Sequence, residues 1–211
     1  MPTLQTLMAF FGVSMLLALT PGPDNLFVLL QSAQRGARAG LCVVLGLCLG
    51  IVGHASAVAL GLAALLAASS TAFTVLKLCG AAYLLRLAWA AWRAPVAQGG
   101  AAPAAAPAAA SALAMVGRGA AMNLSNPKVL VFFLAFLPQF ADPARGALAP
   151  QIMVLGLAFI VATALVFGAI ALFSGAFGAL LLRSARGQRL LNRAAALVFA
   201  ALALKLATAQ R

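Results

Sequence analysis

Six apolar segments follow one another along this chain, over residues 4–33, 40–68, 71–93, 119–140, 149–181 and 190–208. Each has the ~20 residues that a helix needs to cross a hydrocarbon core of ~30 Å. In lipid, backbone N–H and C=O groups must be satisfied within the segment, and no period-2 alternation argues for a barrel, so helices are expected. Composition points the same way: 65% of the 211 residues are apolar and 8% are charged, against roughly 45–50% and 25% in soluble domains. Such a chain cannot hide its apolar surface by folding alone. That excludes an ordinary soluble enzyme, a DNA-binding module and a disordered tail. The expected class is an all-α integral membrane protein with six transmembrane helices. Ser69-Ser70-Thr71 is a very short connection, so five spans plus a re-entrant segment is the alternative. The fifth segment, ~48 Å long if wholly helical, is expected to tilt, bend near Gly168 or Ser174-Gly175, or project from the bilayer.

Fourteen basic residues face two acids, Asp24 and Asp142, for a net charge of +12. The basic residues are spread over short loops and do not gather on one polar face, so nucleic acid is not an expected partner. Loops after spans one, three and five hold Arg35, Arg38, Arg93, Arg118, Arg183, Arg186, Arg189 and Arg193, while the other side holds Arg145 and Arg211. The positive-inside rule then places the odd-numbered loops in the cytoplasm and both termini outside. Trp89 and Trp92 beside Arg93 fit an inner aromatic belt, and Lys77, Arg86 and Lys205 are expected to snorkel. The first basic residue is Arg35, so the first segment reads as a retained span, not a cleavable signal. Prolines 95, 103 and 107 stand in an Ala-rich stretch, which predicts a flexible connection over residues 94–118 between halves 1–93 and 119–211.

Two segments carry a proline break. The first contains Thr20-Pro21-Gly22-Pro23-Asp24-Asn25 and the fourth Asn123-Leu124-Ser125-Asn126-Pro127-Lys128; Pro21 and Pro127 are 106 residues apart, half the chain. Three spans per half is an odd number, so the halves should run as two inverted three-helix repeats. Broken helices at matching positions of such repeats point to a transporter's substrate site. Each proline removes the N–H that would bond the carbonyl four residues back, which frees Leu17, Leu19 and Asn123. Gly22 is expected to let the backbone turn where a side chain would clash. Asp24 lies eleven residues before Arg35 and Lys128 ten after Arg118, so both should sit ~15 Å from the inner interface. A charge there costs ~2.5–3.5 kcal/mol, and the two are expected to neutralise each other. The candidate substrate- or proton-binding residues are Thr20, Pro21, Gly22, Pro23, Asp24, Asn25, Asn123, Asn126, Pro127 and Lys128. The rival reading makes Asp24-Asn25 a helix cap and Pro127 a simple kink.

Secondary candidates are weaker. His54, the sole histidine, could carry a proton. Tyr83, Ser125, Gln139 and Thr163 could line a cavity. Gly46, Gly50, Ala57 and Gly61 form a small-residue stripe that allows close helix approach and permits a homodimer. Cys42, Cys48 and Cys79 read as packing residues. Cys42, Cys48 and His54 are six residues apart in turn, a rotation of ~600° per step, so they diverge and no metal site is expected.

The Thr20–Asp24 motif with Asn126-Pro127-Lys128 resembles the lysine exporter (LysE) superfamily, and more narrowly the threonine/homoserine (RhtB-type) amino-acid exporters. Gly46-x-x-x-Gly50 with His54 and Gly61, and Gly80-Ala81-Ala82-Tyr83-Leu84, are similar to that family as well. The resemblance covers the whole chain. It implies a bacterial inner-membrane efflux carrier for amino acids or close derivatives, driven by proton exchange, without enzymatic activity or a cofactor. Its partners would be the amino-acid substrate, protons and the bilayer. Rival functions are export of a metal ion or other small solute on the same fold, and a non-transporting membrane scaffold. Asn192-Arg193-Ala194-Ala195-Ala196 and Ala200-Ala201 stand where the family often has glycines, and Arg86 where it often has a neutral residue. Those departures predict looser packing of spans three and six.

Overall fold

The computed structural model describes residues 1–20, 22–68, 70–94, 111–174 and 185–208. Regular structure among them is entirely helical. In order the helices are α1 (Leu4–Leu19), α2 (Pro23–Arg35), α3 (Ala37–Ala68), α4 (Ser70–Trp92), α5 (Ala112–Leu124), α6 (Pro127–Val131), α7 (Leu148–Leu172) and α8 (Ala185–Thr208). By length and composition, three helical stretches can cross a membrane: Ala37–Gly61, Leu148–Leu172 and Arg186–Thr208. The count becomes five if each bent pair is one span. These pairs are α1 with α2, bent by 62°, and α5 with Pro127–Phe140, bent by 52°. α4, which carries Lys77 and Arg86, is not among the five.

Local chemistry sets the ends. Thr3 and Ser111 cap α1 and α5, each accepting from the N–H three residues on. Gly36, at φ +86°, turns α2 directly into α3, a conformation that costs glycine little. Beyond α6 the helix widens into a π turn at Phe132–Phe136 and tightens into a 3-10 turn at Leu137–Phe140. Pro138 has no N–H for the carbonyl of Leu134, and the helix adjusts around that gap. The π turn sends Phe132, Phe133 and Phe136 inward together, where they meet Phe10, Phe140 and Phe159 with ring centroids 5.2–5.7 Å apart. Each such pair contributes about 0.5–1.5 kcal/mol beyond area burial.

Contacts between the two halves dominate. α3 packs on α5 and α7, α1 on α7, and α4 on α8. Gly46 makes the α3–α5 contact possible. A β-carbon there would run into the Val116 carbonyl, Gly119 and Ala120. Three cations on or next to α4 and α8 lie over rings: Arg93, just past α4, 4.2 Å over Trp89, Arg193 5.5 Å over Trp92, and Lys205 4.4 Å over Phe140. The Met1 ammonium donates to the Arg145 carbonyl at 2.9 Å, so the N-terminus and the 141–147 loop share one end of the bundle. Gln151, fully buried, stitches that loop through the Asp142 N–H and the carbonyls of Asp142 and Gly146.

Several expectations are corrected. α5 begins at Ala112, inside the stretch assigned to the 94–118 connection, because Ser111 caps it and the last proline lies four residues earlier. Residues 95–110 lie outside the described residues. α7 passes through Gly168 as unbroken helix; Gly175 lies outside the described residues. The small-residue stripe divides: Gly46 and Gly50 face α5, whereas Ala57 and Gly61 are exposed. Cys79 is exposed, not packed. α4 and α8 pack closely despite the missing glycines, because Ala195, Ala196 and Ala203 are small enough and Gly80 admits Leu206 and Ala135.

Candidate functional site

The two bends bring residues from both halves to one buried centre. Asp24 is in the first turn of α2, where the positive end of the helix dipole favours a carboxylate by ~0.3–1 kcal/mol. Its side chain is not the helix cap; Gly22 holds that position without a side-chain bond. The carboxylate instead accepts from Asn126 across the molecule, Nδ2 to Oδ2 at 2.8 Å. A hydrogen bond to a charged group is worth about 1.5–3 kcal/mol, comparable with the ~2.5–3.5 kcal/mol cost of a charge at this depth. Asn126 is a true cap of α6, accepting the Lys128 backbone N–H on Oδ1 at 3.0 Å. One side chain therefore serves both broken helices.

Lys128 is 7% exposed and reaches back to the end of α1. Its ammonium donates to the carbonyls of Leu17 (3.4 Å) and Thr20 (3.3 Å). The carbonyl freed at Leu17 is thus met by the chain itself, not left vacant for a ligand. A cation at a helix C-terminus is also favoured by the dipole. Asn25 donates to Ala18 O at 2.8 Å, and the Thr20 hydroxyl to Leu16 O at 2.8 Å. The end of α1 is therefore sealed by side chains from α2 and α6. The expected Asp24–Lys128 ion pair does not form: the two charges act on each other, but each makes its bonds elsewhere. Gly22 has φ −166°, an extended conformation open to any residue. A β-carbon here would sit 3.1 Å from Lys128 Nζ, so the ammonium would have to give way by a few tenths of an ångström.

The second break is handled in kind. The Asn123 carbonyl accepts from the Asn126 N–H at 3.0 Å and from His54 Nε2 at 3.2 Å. His54 on α3 and Lys128 on α6 each cover the carbonyl end of a half-helix belonging to the opposite half of the chain. Gly50 admits Asn123 against α3. The Asn123 side chain also stands beside the Asp24 carboxylate, yet the Oδ1 atoms of both residues have no hydrogen-bond partner.

A cavity of about 320 Å³ opens on one side of Lys128. Gly22, Asn126, Lys128 and Asn192 give it a polar end, and Tyr83, Leu87, Ala91 and Phe199 an apolar wall. Lys128 also borders a second void of about 10 Å³, among Asp24, Asn123 and Thr163. Of the expected residues, Thr20, Gly22, Pro23, Asp24, Asn25, Asn123, Asn126, Pro127 and Lys128 converge here, with His54 and Tyr83 at the margin. Pro21 lies outside the described residues. Ser125 is exposed and Gln139 is only half-buried. Asn192 was not anticipated; it lies in the segment noted only for its departures, and its polar group amid alanines was the available signal. Among the described residues, no group of three side chains is placed to hold a metal ion.

Comparison with known proteins bears on this arrangement. The chain is 34% identical to an uncharacterized membrane protein of Vibrio cholerae, over 78% of this chain and 79% of the relative. It is 35% identical to a homoserine/homoserine lactone efflux protein of Salmonella typhimurium, over 75% of each. It is 30% identical to a leucine efflux protein of Salmonella choleraesuis, over 60% of this chain and 58% of the relative. No solved structure matches significantly. The model of the LysE type translocator matches residues 2–210, and the chain belongs to that family.

Proposed function

We propose that the protein is a secondary exporter of amino acids or close derivatives, working by alternating access and coupled to protons. The observation that carries this reading is the crossing of two proline-broken helices at Asp24, Asn126 and Lys128, beside a cavity of about 320 Å³. The efflux relatives support the substrate class. The fold is proposed as six spans in two inverted repeats, with α4 as the third. Contacts support that: the α3–α5 packing has its counterpart in α7–α1, and α3–α7 and α4–α8 pair equivalent helices of the two halves.

The candidate residues divide the work. Lys128 and the N–H groups at the start of α2 hold the substrate carboxylate. Asp24 holds the ammonium or exchanges a proton. Substrate competes with the α1 carbonyls for the Lys128 ammonium, which loosens the join between α1 and α6 and permits the switch between inward- and outward-open states. A proton moving down ~100 mV supplies ~2.3 kcal/mol, about forty- to fiftyfold in concentration. The bacterial inner membrane, with both termini outside, is the proposed setting, supported by the arginine distribution.

The test uses purified protein in inside-out vesicles. An imposed pH gradient should drive uptake of radiolabelled leucine or homoserine, and Asp24→Asn should abolish it. Full transport by Asp24→Asn removes that residue from the mechanism; no amino-acid transport by the unaltered protein refutes the function.

A further inference from the structure

The small void beside Lys128 has a chemistry of its own. At about 10 Å³ it lies at the lower limit for one water. Three of the residues lining it, Asp24, Asn123 and Thr163, carry buried oxygens without a partner, Oδ1, Oδ1 and Oγ1. All three residues are at least 97% buried (3%, 2% and 2% exposed). The Thr163 hydroxyl differs from four others among the described residues. Ser14, Ser32 and Thr208 on helices, and Thr20 at the end of α1, each donate to the carbonyl four residues back. That bond is the default for a hydroxyl with no other partner in a helix. Thr163 does not make it, and its hydroxyl stands at the void. Lys128, with three N–H donors, meets two acceptors at the long distances of 3.3 and 3.4 Å and lines the same void. A water there would find a donor in Lys128 and acceptors in Asp24 and Thr163, the number of partners a buried water needs.

We infer that this void holds one water, positioned by Thr163, that joins the Lys128 ammonium to the Asp24 carboxylate and is the point where the coupling proton reaches Asp24. This rests on the export reading above. The resident water takes up a proton and passes one to Asp24 Oδ1, so it remains as water; the carboxylate becomes a neutral acid. Neutral Asp24 no longer attracts a substrate ammonium, so proton and cargo exclude each other, as export against inward proton flow requires. Lys128 then borders two sites, a cavity for cargo and a wet cell for the proton. The charged group facing Asp24 is Lys128. α1 and α7 carry no ionisable side chain, His54 on α3 is engaged at the Asn123 carbonyl, and Arg118 on α5 is exposed.

The experiment reconstitutes the full chain in proteoliposomes and measures two fluxes of radiolabelled leucine: uptake driven by a pH gradient, and counterflow without one. In T163V the ratio of driven uptake to counterflow should fall about tenfold, the scale of one lost hydrogen bond. In T163S, which keeps the hydroxyl, the ratio should stay near the unaltered value. An unchanged ratio in T163V overturns the inference while leaving export intact. Absence of any counterflow in the unaltered protein overturns the export reading and this inference with it. If T163V does not fold, an experimental density map decides: an ordered water within hydrogen-bond distance of Thr163 Oγ1 and Asp24 Oδ1 supports the site, and an empty void overturns it.

Discussion

Asn126 donates to Asp24 over 2.8 Å although 102 residues separate them. The same amide accepts the Lys128 N–H and so caps the helix that carries the lysine. Two helix breaks, each unfavourable alone in lipid, satisfy each other through one side chain.

Asn126→Ala removes a cap worth ~1 kcal/mol and a charge-assisted bond worth about 1.5–3 kcal/mol. Thermal unfolding in detergent should therefore show a loss of roughly 2–4 kcal/mol. Asn126→Ser, which can still cap, should recover only the smaller part. Near-complete recovery by Asn126→Ser would mean that the bond to Asp24 contributes little.

Lys128→Met keeps the length of the side chain and removes its charge. The variant should insert in the membrane, yet lose at least ~100-fold in export, because carboxylate recognition depends on a charge-assisted contact. Quantitative export assays at matched expression would check it. Near-normal export would transfer that role to the helix N–H groups.

Gly46→Val should destabilise the protein strongly, by roughly 3 kcal/mol or more, since its side chain would collide with the Val116 carbonyl and the Gly119 and Ala120 backbone. Gly61→Ala, with nothing within 4 Å of the new methyl, should change stability by less than ~0.5 kcal/mol. Both belong to one stripe in the sequence, so the pair of melting curves separates pattern from contact.

Orientation has a direct assay. Alkaline phosphatase is active only outside the cytoplasm; fused after Arg145 it should be active, and fused after Arg93 inactive. The Met1–Arg145 contact at one end and the Arg93–Trp89 and Arg193–Trp92 stacks on α4 and α8 make these natural reporters. The reverse pattern would invert the topology.

Membership of the all-helical membrane class, the places of the two breaks and the identity of the charged residues at them were legible in the sequence. They are local: proline lacks an N–H wherever it stands, and a run of ~20 apolar residues is too long and too apolar for water. Partner choice was not local. The sequence paired Asp24 with Lys128, as two opposite charges at one depth suggest; folding gave Asp24 to Asn126 and Lys128 to the carbonyls of Leu17 and Thr20. Those carbonyls become available only where α1 ends, and they lie near Lys128 only once α6 crosses it. Likewise, Gly46 and Gly61 are alike in sequence, and only the approach of α5 makes the first irreplaceable. Hydrogen-bond geometry acts over about 3 Å, so which of several suitable partners a buried group takes was decided by how the two halves dock.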